Sequence, residues 1–204
     1  MLRKNGLIKG ILDKVFFIIL LKIFFLKKSL IILFSILFSK IAMTQTIFDF
    51  NINSDLKNWY IVNDDVMGGV SKCDFFVDKN GNGVFEGTIS TLYNGGFSSV
   101  RYAKSKISTA DKSKIVLKIK GDKKKYQLRI KANKSDYQSY IYYFETSGEW
   151  ETIIIPINDM YASFRGRRLY MKNYDNTFFE ELSILAGNKK NENFKLLINN
   201  IFLE

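Results

Sequence analysis

The sequence predicts an all-β sandwich or barrel, mostly antiparallel, with about ten short strands in one domain. Three observations predict it. Apolar residues recur with period two, as in Ser113 to Gly121, where Ile115, Leu117 and Ile119 alternate with Val116, Lys118 and Lys120. The connections between such runs are short, polar and rich in turn formers. No heptad, repeat or Gly/Pro/Ser linker interrupts residues 45–204.

Taken in order, TIFDF, CDFFVD, GVFEGTIS and FSSVRYA supply the first strands. SKIVLKIKG and KYQLRIKA follow; in the latter Tyr126, Leu128 and Ile130 alternate with Gln127, Arg129 and Lys131. SYIYYFET, EWETIIIPI, FFEELSILA and NFKLLINNIFLE complete the set, all rich in β-branched and aromatic residues. Pro156 is the single proline, expected at a strand end or a sheet edge. DKNGNG, GDKKK, ANKSD, TSGE and GNKKNEN read as the turns.

The formal charge of +11 is unevenly spread. Residues 1–42 hold eight Lys/Arg against Asp13, leaving 23 basic and 19 acidic residues from 43 onward, a net +4. The basic balance therefore belongs to the leader, and nucleic acid is not an expected partner. Lys27 and Lys28, the apolar run Ser29 to Ser39 and the small residues near Ala42 have the layout of a secretory signal peptide. Residues 1–44 are accordingly expected to be a leader, with cleavage before Gln45 and the mature protein periplasmic or secreted. The run is shorter than the roughly 20 apolar residues of a spanning helix. An uncleaved leader that anchors the domain is the alternative, and only then does the chain touch a membrane.

The sequence has no histidine, which excludes Ser-His-Asp and Cys-His catalysis and histidine-ligated metals. Cys73 is the only cysteine, so no intrachain disulfide forms, and its alternation with Ser71 and Phe75 marks it as a small core residue. No metal or cofactor is expected. Asp78, Asn80, Asn82 and Gly83 match the opening of a calcium loop, but Ile89 stands where the closing glutamate is required. A hairpin turn explains the two Asn-Gly pairs better.

NDDVMGGVS, Asn63 to Ser71, places Asp64 and Asp65 beside Met67, Gly68 and Gly69. Adjacent carboxylates on an extended chain point apart, which argues against acid–base work. The glycine spacing fits no phosphate loop. The carboxylates are expected to accept amide hydrogen bonds within their own loops. FRGRR, Phe164 to Arg168, is a compact cationic cluster suited either to an anion or to ion pairs at a sandwich end. A face carrying Gln127, Arg129 and Lys131, with Tyr140 and Tyr142 beside it, is suited to stacking on and hydrogen-bonding a sugar. Strand register decides which tyrosines share that face.

Trp59, NDDVMGGVS, FEGTIS and NGGFSSVRY form an ordered series that resembles the complex I intermediate-associated protein 30 family. EWETIIIPINDM, SFRGRRL and NFKLLINNIFLE continue the resemblance, which covers roughly residues 46–204. It implies a galactose-binding-like jelly roll. It also implies a non-catalytic, chaperone-like role with a protein or membrane-complex subunit, as in the family's eukaryotic members. The same architecture serves carbohydrate-binding modules, so a glycan is the alternative partner. On this reading Asp64, Asp65, Met67, Gly68, Gly69, Gly95, Gly96, Arg101 and Arg165 organise one end of the sandwich, with Arg101 bridging to Asp64 or Asp65. Gln127, Arg129, Tyr140 and Tyr142 form the alternative sugar face.

Overall fold

The computed structural model describes residues 21, 22, 24, 26–28 and 44–204, in two compact units, Met1–Met43 and Thr44–Glu204. In the first unit the described residues are helical, and the Lys28 ammonium stands 4.7 Å from the Phe24 ring centroid. Among the described residues no helix is long and apolar enough to cross a membrane. The expected apolar leader run and the Ala42 cleavage region lie outside the described residues.

The second unit is a sandwich of two antiparallel sheets. One holds β1 (Gln45–Asp49), β3 (Lys72–Val77), β4 (Gly83–Ile89), β6 (Lys114–Lys120), β9 (Trp150–Pro156) and β13 (Glu192–Leu203). Its order is β3-β4-β13-β6-β9, with β1 also on β13. β4 pairs along the first half of β13 and β1 along its end, where a register shift near Asn199 bends the strand. The other sheet holds β2 (Trp59–Asn63), β5 (Ser98–Ser108), β7 (Lys125–Lys131), β8 (Ser139–Glu145), β10 (Tyr161–Phe164), β11 (Arg167–Arg168) and β12 (Phe178–Ala186). Its order is β11-β10-β8-β7-β12-β5-β2.

Ten of the thirteen strands coincide with the runs read from sequence; β2, β10 and β11 do not. WYIVN is a good strand sequence that merges with the polar motif after it. β10 and β11 join through Arg165 (φ 48°) and Gly166 (φ 76°), the left-handed pair of a two-residue hairpin turn. FRGRR is thus a hairpin tip, where Asn-Gly or Asp-Gly would have been the recognisable signal. DKNGNG is the β3–β4 turn: the Asp78 carboxylate accepts the amides of Asn80 and Asn82, both at 2.9 Å. Pro156 closes β9, an edge strand, where a missing N–H is tolerated.

The inward positions of both sheets build the core. Phe85, Ile115, Leu117, Ile119, Leu196 and Ile198 face Val100, Leu128, Ile130, Leu182 and Ile184. At one end Phe48, Phe50, Trp59, Phe75 and Tyr102 interlock with ring centroids 4.5–5.9 Å apart. Cys73 is buried beside them, its thiol donating to the Asn63 side chain at 3.2 Å. Burial pushes that thiol up to about 11, which keeps it protonated and inert.

Candidate functional site

Two constellations emerge, one structural and one facing solvent. The first is a corner built on Asp64. A 3-10 turn, Asp64–Met67, leaves β2 and ends at Gly68 in the left-handed region (φ 87°). Asp64 is fully buried. Its carboxylate accepts the Ser71 amide at 2.9 Å, the Ser71 hydroxyl, the Gly96 amide and the Phe97 amide at 3.3 Å. Burial alone would raise this carboxyl. The Ser71 hydroxyl and the amides of Gly96, Ser71 and Phe97 outweigh it and hold the pKa below the ordinary aspartate value.

The glycines follow from this packing. A Cβ at Gly69 would stand 2.3 Å from the Asp64 Cγ, and one at Gly95 2.5 Å from its Oδ2. One glycine of each pair, Gly69 and Gly95, is therefore packed against this carboxylate, whereas Gly68 (φ 87°) and Gly96 (φ 127°) hold the positive-φ backbone of the turns. Asp65 is exposed and accepts the Val66 amide; Met67 is exposed at the turn. Arg101 does not join this corner. It lies along β5, and its Nη1 pairs with Glu181 Oε1 at 3.4 Å. Arg165 is at the β10–β11 hairpin tip, with its guanidinium 5.3 Å from the Phe164 ring.

The second constellation is the outward face of the seven-stranded sheet. Register aligns one residue from each of six strands: Tyr60, Arg101, Ser183, Arg129, Ile141 and Tyr161. Residues paired directly across an antiparallel ladder share a face. Five gaps of about 4.8 Å make this row on the order of 24 Å long. Ser99, Leu185, Gln127 and Tyr143 flank it on one side, and Ala103, Glu181, Lys131, Ser163 and Arg168 on the other.

Register also corrects the sugar face expected from sequence. Gln127 is opposite Tyr143 and Arg129 opposite Ile141, whereas Tyr142 and Tyr140 oppose Leu128 and Ile130. Tyr140 and Tyr142 therefore point into the core, and Tyr143 and Tyr161 replace them. The alternation in SYIYYFET held the information; the parity that chooses between its halves did not appear in it.

The face is recessed along its floor and open at its aromatic residues. Ser183 and Ile141 are 4% and 2% exposed, whereas Tyr60 and Tyr143 are 42% and 40% exposed. Buried Glu181 accepts the Tyr60 hydroxyl at 2.7 Å and pairs with Arg101. Burial and that carboxylate push the Tyr60 phenol up to about 12, so it stays a neutral donor. The Gln127 carbonyl oxygen accepts Arg129 Nε at 3.0 Å and Nη2 at 2.6 Å. Desolvation pushes the Arg129 guanidinium down to about 10, still charged at neutral pH. Arg168 lies 4.6 Å from the Tyr161 ring and Lys125 Nζ 4.7 Å from the Tyr143 ring. A hollow of about 410 Å³ on the six-stranded sheet is lined by Asn82, Lys118, Trp150 and Asn199.

The sequence profile of complex I intermediate-associated protein 30 matches residues 48–198. The chain belongs to that family. No curated protein matches the chain. Solved structures show its fold to be a galactose-binding-like jelly roll. The family 11 carbohydrate-binding module from Clostridium thermocellum, in complex with a β-1,3-1,4-mixed-linked tetrasaccharide, superposes with a TM-score of 0.59 at 17% identity. That match covers 78% of this chain and 94% of the module. The family 11 module of the cellulosomal cellulase Lic26A-Cel5E of the same organism gives 0.57 at 17% identity, over 79% and 94%. The agarase AgWH50C gives 0.54 at 10% identity, over 79% of this chain and 24% of the agarase. In this member of the complex I intermediate-associated protein 30 family, the NDDVMGGVS and NGGFSS segments meet at the Asp64 corner.

Proposed function

We propose that this chain is a non-catalytic binding domain that lays a polysaccharide across the outward face of its seven-stranded sheet. One observation carries the reading: register sets Tyr60 and Tyr161 at the two ends of a row with polar and guanidinium groups between them. Aromatic rings pack on the C–H faces of sugar rings, while amide, guanidinium and carboxylate groups hydrogen-bond the hydroxyls. A row on the order of 24 Å has room for several sugar units. The three rows hold a single carboxylate, Glu181, already engaged by Tyr60 and Arg101, whereas glycoside hydrolysis requires two. Carbohydrate-binding modules of the same fold support the reading.

The test is retention of the full chain in gels containing soluble polysaccharides, neutral and acidic. Tyr60→Ala and Tyr143→Ala are each expected to weaken retention about five- to ten-fold, the scale of one lost aromatic contact. Trp150→Ala, on the other sheet, is expected to leave it unchanged. Retention indifferent to both tyrosines contradicts the proposal.

A second reading, protein recognition during assembly of a membrane complex, is favoured by family membership and by the Asp64 corner. There Val66, Met67, Leu92 and Tyr93 are exposed on the two turns tied by one carboxylate. Co-migration with a membrane complex on native gels, lost in Met67→Ser/Tyr93→Ser and kept in Tyr143→Ala, would support it.

A further inference from the structure

The charges in the three central rows of the sheet face do not balance internally. Across the three rows Arg101, Arg129, Lys131 and Arg168 are set against Glu181 alone. That carboxylate is committed, with Arg101 Nη1 at 3.4 Å and the Tyr60 hydroxyl at 2.7 Å. Lys131 Nζ donates to the Asp136 carbonyl oxygen at 2.6 Å, and Arg168 lies over Tyr161 at the sheet edge. Arg129 is different. It sits mid-row between Ser183 and Ile141, both almost wholly buried. Both of its side-chain hydrogen bonds go to one neutral acceptor, the Gln127 amide oxygen.

A guanidinium has five N–H donors in a planar fork. Gln127 takes two and orients the plane, leaving three for a ligand. A cation partly stripped of water without a counter-charge is unfavourable. The cost is offset if an anion arrives with the ligand. Burial lowers the Arg129 pKa most and the Arg101 charge lowers it further, while Tyr143 and Tyr161 raise it. A neutral glycan would cover this guanidinium and leave it uncompensated.

We propose that the face is built for an anionic polysaccharide whose carboxylate or sulfate groups pair with Arg129 while its sugar rings pack on Tyr143 and Tyr161. This rests on the polysaccharide-binding reading above and specifies its ligand. Arg129 supplies the charge-assisted, fork-shaped contact that carboxylate and sulfate oxygens both match. Arg101, Lys131 and Arg168 supply a positive field that gathers a polyanion onto the sheet, whereas Lys125, one row beyond, stands opposite Glu145.

The experiment uses the full chain and two matched pairs of probes: polygalacturonate with its methyl ester, and carrageenan with its desulfated form. The acidic member of one pair is expected to be retained about ten-fold more strongly, the scale of one charge-assisted pair. The pair that responds distinguishes carboxylate from sulfate. Arg129→Gln is expected to abolish the preference, and Arg129→Lys to keep part of it by retaining the charge without the fork. Lys79→Gln removes the same charge from the exposed β3–β4 turn and is expected to change retention less than two-fold, on the scale of a screened surface charge. Equal retention of acidic and neutral members, or equal losses from Arg129→Gln and Lys79→Gln, overturns the anionic assignment. The broader reading then stands if Tyr143→Ala still weakens retention. Failure of every probe to be retained overturns both.

Discussion

Asp64 shows how one residue governs two loops separated in sequence. Its carboxylate satisfies three backbone amides and one hydroxyl, and it is fully buried. Asp64→Asn keeps the shape but replaces one acceptor oxygen with a donor, facing amides that need an acceptor. That substitution is expected to cost about 2–4 kcal/mol, read by chemical denaturation. The pH dependence follows from the lowered folded-state pKa. The unfolded value is 3.8, so the stabilisation is complete above about pH 5 and is lost as pH falls through the lower folded value. Asp64→Asn should therefore flatten the acid limb of the stability profile below about pH 4.

At the scale of the element, β8 decides what its neighbours can bind. In SYIYYFET, Tyr142 and Tyr143 are adjacent and chemically identical, yet they serve opposite faces. Tyr142 packs against the core and Tyr143 stands on the solvent face beside Gln127. Tyr142→Ala is expected to destabilise the domain by about 2–4 kcal/mol while leaving polysaccharide retention intact. A loss of retention with an unchanged melting temperature would reverse the assignment of faces. The β10–β11 hairpin extends the same sheet by placing Tyr161 at the end of the row and stacking Arg168 on it.

At the scale of the molecule, the two sheets are interleaved along the chain. Successive strands from β5 to β9 alternate between them, except for the β7–β8 hairpin, and β13 returns to the middle of the six-stranded sheet. No contiguous half carries a complete sheet, so the domain is expected to unfold in one transition. Removing β13, Glu192–Leu203, deletes the partner of β1, β4 and β6 at once. The truncated chain is expected to show no cooperative thermal transition by circular dichroism. A retained sigmoidal melt would contradict this account of the fold.

The sequence by itself determined the all-β class, the DKNGNG hairpin and the presence of two glycine motifs. These are local facts, carried by period-two alternation and turn chemistry. Tertiary structure alone decided the partner of Arg101, because an arginine on a strand can reach several carboxylates and only sheet order places Glu181 beside it. It alone decided that Tyr143, not Tyr142, shares a face with Gln127. A shift of one residue inverts every side chain on a strand, and that register is set by long-range pairing. The candidate face legible in KYQLRIKA was therefore half complete: its arginine and glutamine were visible from the sequence, and its tyrosines waited on the sheet.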